Sequence, residues 1–257
     1  MTRLRVSLVQ SRLRWRDPEQ NRAHLSAAMD GADAADLFVL PETFTTGFLG
    51  EKADTDEGMD GPTVAWLQHE ARARDAAVCG SAVICDDAGR RNRFLFAAPD
   101  GQMTFYDKRH LFSYAGEDKR YVAGERRVVF EYLGWRINPQ ICYDLRFPVW
   151  CRSRDDFDLA IFVANWPSPR VNAWDALLRA RAMENQCYVV AVNRVGEDGR
   201  GLAYPGHSAI YDPLGETVIE PWETEGAKDA VIDLDRVREI RSDFPFAAEA
   251  DDFTINS

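Results

Sequence analysis

Three residues have the types and settings for chemistry: Glu42 in Leu-Pro-Glu-Thr-Phe, Lys108 in Tyr-Asp-Lys-Arg-His-Leu-Phe, and Cys142 in Gln-Ile-Cys-Tyr-Asp-Leu-Arg-Phe-Pro. Each ends a run that reads as a buried strand, so the three side chains are expected at one edge of a sheet. A thiol, a carboxylate and an ammonium in one pocket are a complete set for acyl transfer. The thiol attacks, the carboxylate moves the proton, and the cation steadies the oxyanion.

Each residue also has a plainer reading. Free cysteine is among the most buried residue types, and a lone one is usually structural. Cys142 differs from Cys79, Cys85 and Cys187, which sit inside apolar runs, because a strand ends at it and a helix is predicted over 148–154. A helix start nearby would lower the thiol pKa, and N–H groups of the turn, Tyr143's first, would face an oxyanion. Glu42 alone reads equally as a surface carboxylate, but the apolar run before it places it beneath loops. Desolvation there is expected to raise its pKa. Lys108 lies in the charged group Asp107-Lys108-Arg109-His110, which alone reads as a solvated turn. His24, His69, His110 and His207 sit in unlike contexts, so nothing favours a Cys–His dyad.

The elements that must position these residues follow from periodicity. Strands are predicted at 4–9, 36–40, 77–84, 94–98, 103–106, 128–132, 135–141, 159–164, 188–193, 208–211 and 217–219. Helices are predicted at 18–29, capped by Asp17 with Pro18 at its first position, and at 62–74, 148–154 and 171–185. The order repeats: Ala65-Trp66 precedes Cys79 by the same interval at which Ala173-Trp174 precedes Cys187, and Asp36-Leu-Phe-Val-Leu echoes Asp158-Leu-Ala-Ile-Phe-Val. Two mixed sheets, each covered by helices on one side, give a four-layer α-β-β-α sandwich when their bare faces stack. No linker interrupts residues 1–257, which read as one domain. Trp166, just past a buried strand as Glu42 is in the other half, is expected to line the pocket, with a core position as its rival reading.

Bulk properties narrow the class. A net charge of −11 argues against a nucleic-acid or membrane-surface binder. No apolar stretch approaches a membrane span, and the N-terminus runs directly into a strand pattern rather than a signal peptide. Five cysteines without Cys-x-x-Cys spacing suit a reduced, cytoplasmic protein without a disulfide framework or zinc site.

Pro41-Glu42-Thr-Phe, Asp107-Lys108-Arg109-His110-Leu-Phe and Ile141-Cys142-Tyr-Asp-Leu-Arg-Phe-Pro together resemble the three signature segments of the nitrilase, or carbon–nitrogen hydrolase, superfamily. The resemblance runs in order to about Ile240 and takes in Asn165-Trp166 and Arg179-Ala-Arg-Ala-Met-Glu-Asn-Gln. Within the family, Thr45-Thr46-Gly47-Phe48, the nine residues from Cys142 to Trp150 and Ala164-Asn-Trp-Pro look most like the ω-amidase branch. The resemblance implies the α-β-β-α sandwich, a Glu42–Lys108–Cys142 triad, and a second glutamate best matched by Glu117. It further implies hydrolysis of a small dicarboxylic acid monoamide through a thioester, with no metal or organic cofactor. Alternatives are an N-carbamoyl amine or other aliphatic amide as substrate, or a non-catalytic metabolite-binding protein.

Arg146, Arg170 and Lys119 are the candidates to bind a substrate carboxylate. Arg181 with Glu184, and Asp144 with Arg146, read as structural pairs, the latter fixing the turn after Cys142. The resemblance also implies a homodimer. The tail over 242–257, with three phenylalanines and an isoleucine, is expected to pack across the subunit boundary rather than on its own chain.

Overall fold

The computed structural model describes residues 2–50 and 57–255. Its first half runs β1 (Arg3–Gln10), α1 (Pro18–Asp30), β2 (Leu37–Val39), α2 (Pro62–Arg74), β3 (Ala77–Asp86), β4 (Gly89–Ala97) and β5 (Met103–Asp107). The second runs β6 (Phe130–Tyr132), β7 (Trp135–Ile141), β8 (Leu159–Ala164), α3 (Val171–Asn185) and β9 (Tyr188–Asn193). After these come the hairpin β10 (Val195–Glu197) and β11 (Ala203–Pro205), then β12 (Ser208–Tyr211), β13 (Thr217–Trp222), β14 (Gly226–Asp233) and α4 (Leu234–Asp243).

The halves repeat one topology. The first sheet has the order β14-β1-β2-β3-β4-β5, and the second β6-β7-β8-β9-β12-β13. In each, three central strands are parallel, two antiparallel strands follow on one side, and one antiparallel strand lies on the other. α2 connects β2 to β3 as α3 connects β8 to β9, which places Trp66 and Trp174 in equivalent helices.

Alternation along the strands builds the layers. Leu37 and Val39, with Leu159, Ile161 and Val163, face into one core between the sheets. Their neighbours Phe38 and Leu40 pack outward against Leu25, Met29, Val64 and Leu67 of α1 and α2. Ala160 and Phe162 pack outward against Trp174, Leu178 and Ala182 of α3. A strand buried on both faces carries apolar residues throughout, and the stack is the expected α-β-β-α sandwich.

Two expectations need correction. β14, an edge strand with one fully buried residue, is not marked in the sequence, because Gly226-Ala-Lys-Asp-Ala has no apolar alternation. The helix predicted over 148–154 is absent. A 3-10 turn, Cys142–Arg146, instead begins at the cysteine, and turns follow. The Ser153 N–H donates to Asn185 Oδ1 at 2.8 Å and the Arg154 N–H to Asp156 Oδ1 at 3.0 Å. Side chains thereby take the donors that would continue a helix.

The tail lies along its own chain as far as the described residues run, with Asn256 and Ser257 outside them. Arg154 donates to the Phe253 carbonyl at 2.8 Å and sits over its ring, and Ile255 packs against the inter-sheet core. Phe244 remains exposed.

Candidate active site

Glu42 follows β2 at the end of Leu40-Pro41 and is fully buried. Its Oε1 accepts from Lys108 Nζ at 2.9 Å and Asn92 Nδ2 at 2.8 Å. Its Oε2 accepts from the Asn165 backbone N–H at 2.7 Å and from Asn165 Nδ2 at 3.3 Å. Asn165 follows β8 as Glu42 follows β2, so the pseudo-twofold repeat brings the two strand ends face to face.

Lys108, one residue past β5, is equally buried. Its ammonium spans both carboxylates, reaching Glu117 at 3.1 and 2.9 Å. Glu117 sits on a short 3-10 turn, Glu117–Lys119, and its Oε2 also takes the Phe112 N–H at 2.6 Å. The sequence motif therefore finds a buried partner of Lys108, and Glu117 is not a solvated loop carboxylate. Burial alone would lower the Lys108 pKa, but Glu117 and then Glu42 outweigh it, and the ammonium is held well above its ordinary value. Burial raises the Glu117 carboxyl against the pull of Lys108.

The lysine is seated by a close backbone contact. The Gly124 N–H donates to the Lys108 carbonyl at 2.8 Å, and a Cβ at Gly124 would fall 2.0 Å from the Asp107 carbonyl oxygen. Gly124→Ala is therefore expected to push these segments apart, costing roughly 1–3 kcal/mol as overpacking does. A lowered Tm together with lowered turnover would report it.

Cys142 directly follows β7 and starts the 3-10 turn with φ of 45°. This left-handed conformation costs a non-glycine residue about 1–2 kcal/mol and turns the thiol out of the sheet. The expected lowering of its pKa is reversed. No α-helix starts nearby, and burial, then the Glu42 carboxylate, push the thiol well above its ordinary range while Lys108 opposes them. A thiol so placed would need an adjacent base in order to attack as a nucleophile. Of the other cysteines, Cys79, Cys151 and Cys187 are buried, and burial raises Cys187 to about 12.

Cys142, Tyr143, Arg146, Asn165, Trp166 and Arg170 line a cavity of about 440 Å³, with Phe48, Phe112 and Arg200 among its other walls. Trp166 satisfies both of its readings, lining the cavity while packing on Trp174. Arg146 stacks over Trp166 at 4.9 Å and Arg170 over Phe112 at 5.2 Å. Among the described residues neither guanidinium has a carboxylate partner. Arg200 does have one, Asp198 at 3.5 Å. Lys119 lies outside the lining.

The predicted Asp144–Arg146 pair does not form. Asp144 instead bonds to Tyr106, Ile141 and His110. His110 thus faces Asp144 rather than the thiol. Arg181 and Glu184 do pair, at 2.9 Å, and Arg181 also holds the Leu145 carbonyl at 2.7 Å, bracing the turn after Cys142.

Three residues of the site were missed as such. Asn92 donates to both Glu42 and Glu117, and its Oδ1 accepts from Ser81 Oγ. A lone amide inside Arg90-Arg-Asn-Arg-Phe was its only sequence signal. Asn165 was noted in a motif but not as a site residue. Arg200 sits beyond the short hairpin strand β10, which has no periodicity to read.

A buried carboxylate–lysine–carboxylate cluster beside a cavity-lining thiol, on a doubled α-β-β-α sandwich, defines a hydrolase of carbon–nitrogen bonds. A family model described as carbon-nitrogen hydrolase matches residues 5–242, and the chain belongs to that family. It is 44% identical over 256 residues to the omega-amidase YafV of Escherichia coli K12, covering 99% of this chain and 100% of that one. It is 36% identical over 216 residues to a 2-oxoglutaramate amidase of Bacillus subtilis, covering 82% of this chain and 83% of the relative. A CN-hydrolase superfamily protein from Xanthomonas campestris, with an arsenic adduct in its active site, superposes with a TM-score of 0.97 at 50% identity, each chain covered completely.

Proposed function

We propose that this protein is a cysteine-dependent ω-amidase acting on the terminal amide of a small dicarboxylic acid monoamide such as 2-oxoglutaramate or 2-oxosuccinamate. One observation carries the substrate class. The cavity that exposes Cys142 also presents Arg146 and Arg170, two guanidiniums stacked on aromatic rings and without carboxylate partners among the described residues. An amide whose far end is a carboxylate supplies the missing anion.

In this reading Glu42 takes the Cys142 proton as the sulfur attacks the amide carbon. The carbonyl electron pair moves onto oxygen, where Lys108 and the Tyr143 N–H receive it. Glu42 returns its proton to the departing nitrogen, ammonia leaves, and a thioester remains. Water then attacks the thioester with Glu42 or Glu117 as base, releasing the acid and restoring the thiol. The raised thiol pKa requires proton transfer to accompany attack.

The test is ammonia release from 2-oxoglutaramate, succinamate, N-carbamoyl-β-alanine and butyramide. The first two should turn over well, and butyramide, which lacks the carboxylate, poorly. Preference for the carbamoyl compound would replace the substrate class. Arg146→Ala or Arg170→Ala should raise KM for succinamate by about 10- to 100-fold, the worth of a charged hydrogen bond, and leave butyramide hydrolysis unchanged. Equal losses on both substrates would remove the arginines from carboxylate recognition.

The proposal includes a homodimer with the tail at its boundary, supported by the exposed Phe244 ring. Sedimentation of the full chain beside a truncation after Arg241 tests it. A full-length monomer overturns the assembly, and a dimer unchanged by truncation removes the tail from it.

A further inference from the structure

We propose that Asp144 and His110 are a positioning pair that locks the strained Cys142 turn onto the lysine segment, an inference that rests on reading Cys142 and Lys108 as the reacting pair. Asp144 lies two residues after the nucleophile and is fully buried. Its Oδ2 accepts from the Ile141 N–H at 3.1 Å, the peptide just before the left-handed Cys142, and from Tyr106 Oη at 2.8 Å. Its Oδ1 accepts from the His110 N–H at 3.0 Å and from His110 Nδ1 at 2.8 Å. Tyr106 and His110 stand two residues before and two after Lys108. One carboxylate therefore holds the nucleophile's turn with one bond and brackets the lysine with three.

The clamp is rigid on both sides. Tyr106 Oη accepts from Trp150 Nε1 at 3.0 Å and from the Arg109 N–H at 3.1 Å, so its own proton is directed to Asp144. Burial, with Asp144 beside it, raises the phenol pKa, and Tyr106 remains a donor. The His110 ring lies flat on Phe147, with centroids 3.6 Å apart and planes 5° apart, and meets Trp150 edge-on. Because a carboxylate only accepts, Nδ1 must carry the proton. Nothing else in the sheet register ties β5 to the end of β7, since they belong to different sheets. Beside the Glu42–Asn165 contact, this crossing fixes the relative position of thiol and ammonium, and small misplacement of reacting groups slows a step by orders of magnitude.

His110→Ala removes the side-chain bond, whereas His110→Asn places an amide N–H close to where Nδ1 stood. The full-length variants would be compared for kcat and KM on succinamate, for the rate at which iodoacetamide alkylates Cys142, and for Tm. His110→Ala is expected to lower kcat and alkylation roughly tenfold each, with KM within about twofold of the parent, as loss of a charge-assisted hydrogen bond would. His110→Asn is expected to recover most of both. Wild-type alkylation and turnover in His110→Ala overturn the proposal, as does a His110→Asn variant no better than the alanine one. If His110→Ala does not fold, Asp144→Asn decides by the same measurements, because an amide there keeps the volume but offers donors to donors. Alkylation of Cys142 reads out positioning even if no tested amide is a substrate, which separates failure of the clamp from failure of the ω-amidase reading.

Discussion

Cys142→Ala is expected to lose amide hydrolysis by a factor on the order of 10⁶, the scale of removing the nucleophile from a catalytic triad, with the fold and Tm near those of the parent. The reasons are local. Cys142 is the cysteine that lines the cavity; Cys79 and Cys85 lie in β3, Cys187 is buried between α3 and β9, and Cys151 lies beneath the turn against the Asp144 carbonyl. Cys142→Ser should be nearly as inactive, because the site is built to move a thiol proton and a hydroxyl is harder to ionise. Glu42→Gln should lose turnover, since a thiol held well above its ordinary range needs a base beside it to attack an amide. Retained turnover in Cys142→Ala would end the nucleophile assignment.

Lys108→Ala is expected to lower kcat by about 10²–10³, the loss of one oxyanion donor, roughly 2.7–4 kcal/mol. It should also destabilise the protein, because Glu42 and Glu117 are left buried and facing each other. Breaking one partner out of a buried ion pair costs about 3–5 kcal/mol. The pH dependence has a definite sign. Burial already raises Glu117, and removing the ammonium raises it further, so the folded variant holds a proton that the unfolded chain releases. A raised folded pKa gives stability that is present below the unfolded value and lost as pH rises. The Tm deficit of Lys108→Ala against the parent should therefore widen from acidic toward alkaline pH. A variant with parental rate and a pH-independent deficit would return Lys108 to a merely structural place.

Much of this site was legible in the sequence because its residues sit at the ends of strongly patterned strands. Leu37–Val39 and Leu159–Ala164 are dense apolar runs and Trp135–Ile141 alternates apolar with polar residues, and the residues that follow each strand are placed once the strand is placed. The repeat was legible for the same reason. What escaped depends on contacts between distant segments. The segment 148–154 reads locally as a helix, but Asn185 and Asp156 capture the Ser153 and Arg154 backbone donors. Arg146 looked positioned to pair with Asp144, but Tyr106, Ile141 and His110 occupy that carboxylate, leaving the guanidinium on Trp166. Asn92 joins the two glutamates only because β4 lies beside β3 and β5.

The central claim is a thioester on Cys142 formed from an amide with a carboxylate at its far end. It is tested most directly by acid-quenching the full-length enzyme during turnover of succinamate and mapping its peptides by mass. One succinyl group is expected on the peptide containing Cys142, absent in Cys142→Ala, with little or no butyryl group when butyramide replaces succinamate. Ammonia release that continues with no acyl group on Cys142, or an acyl group on another residue, would contradict it.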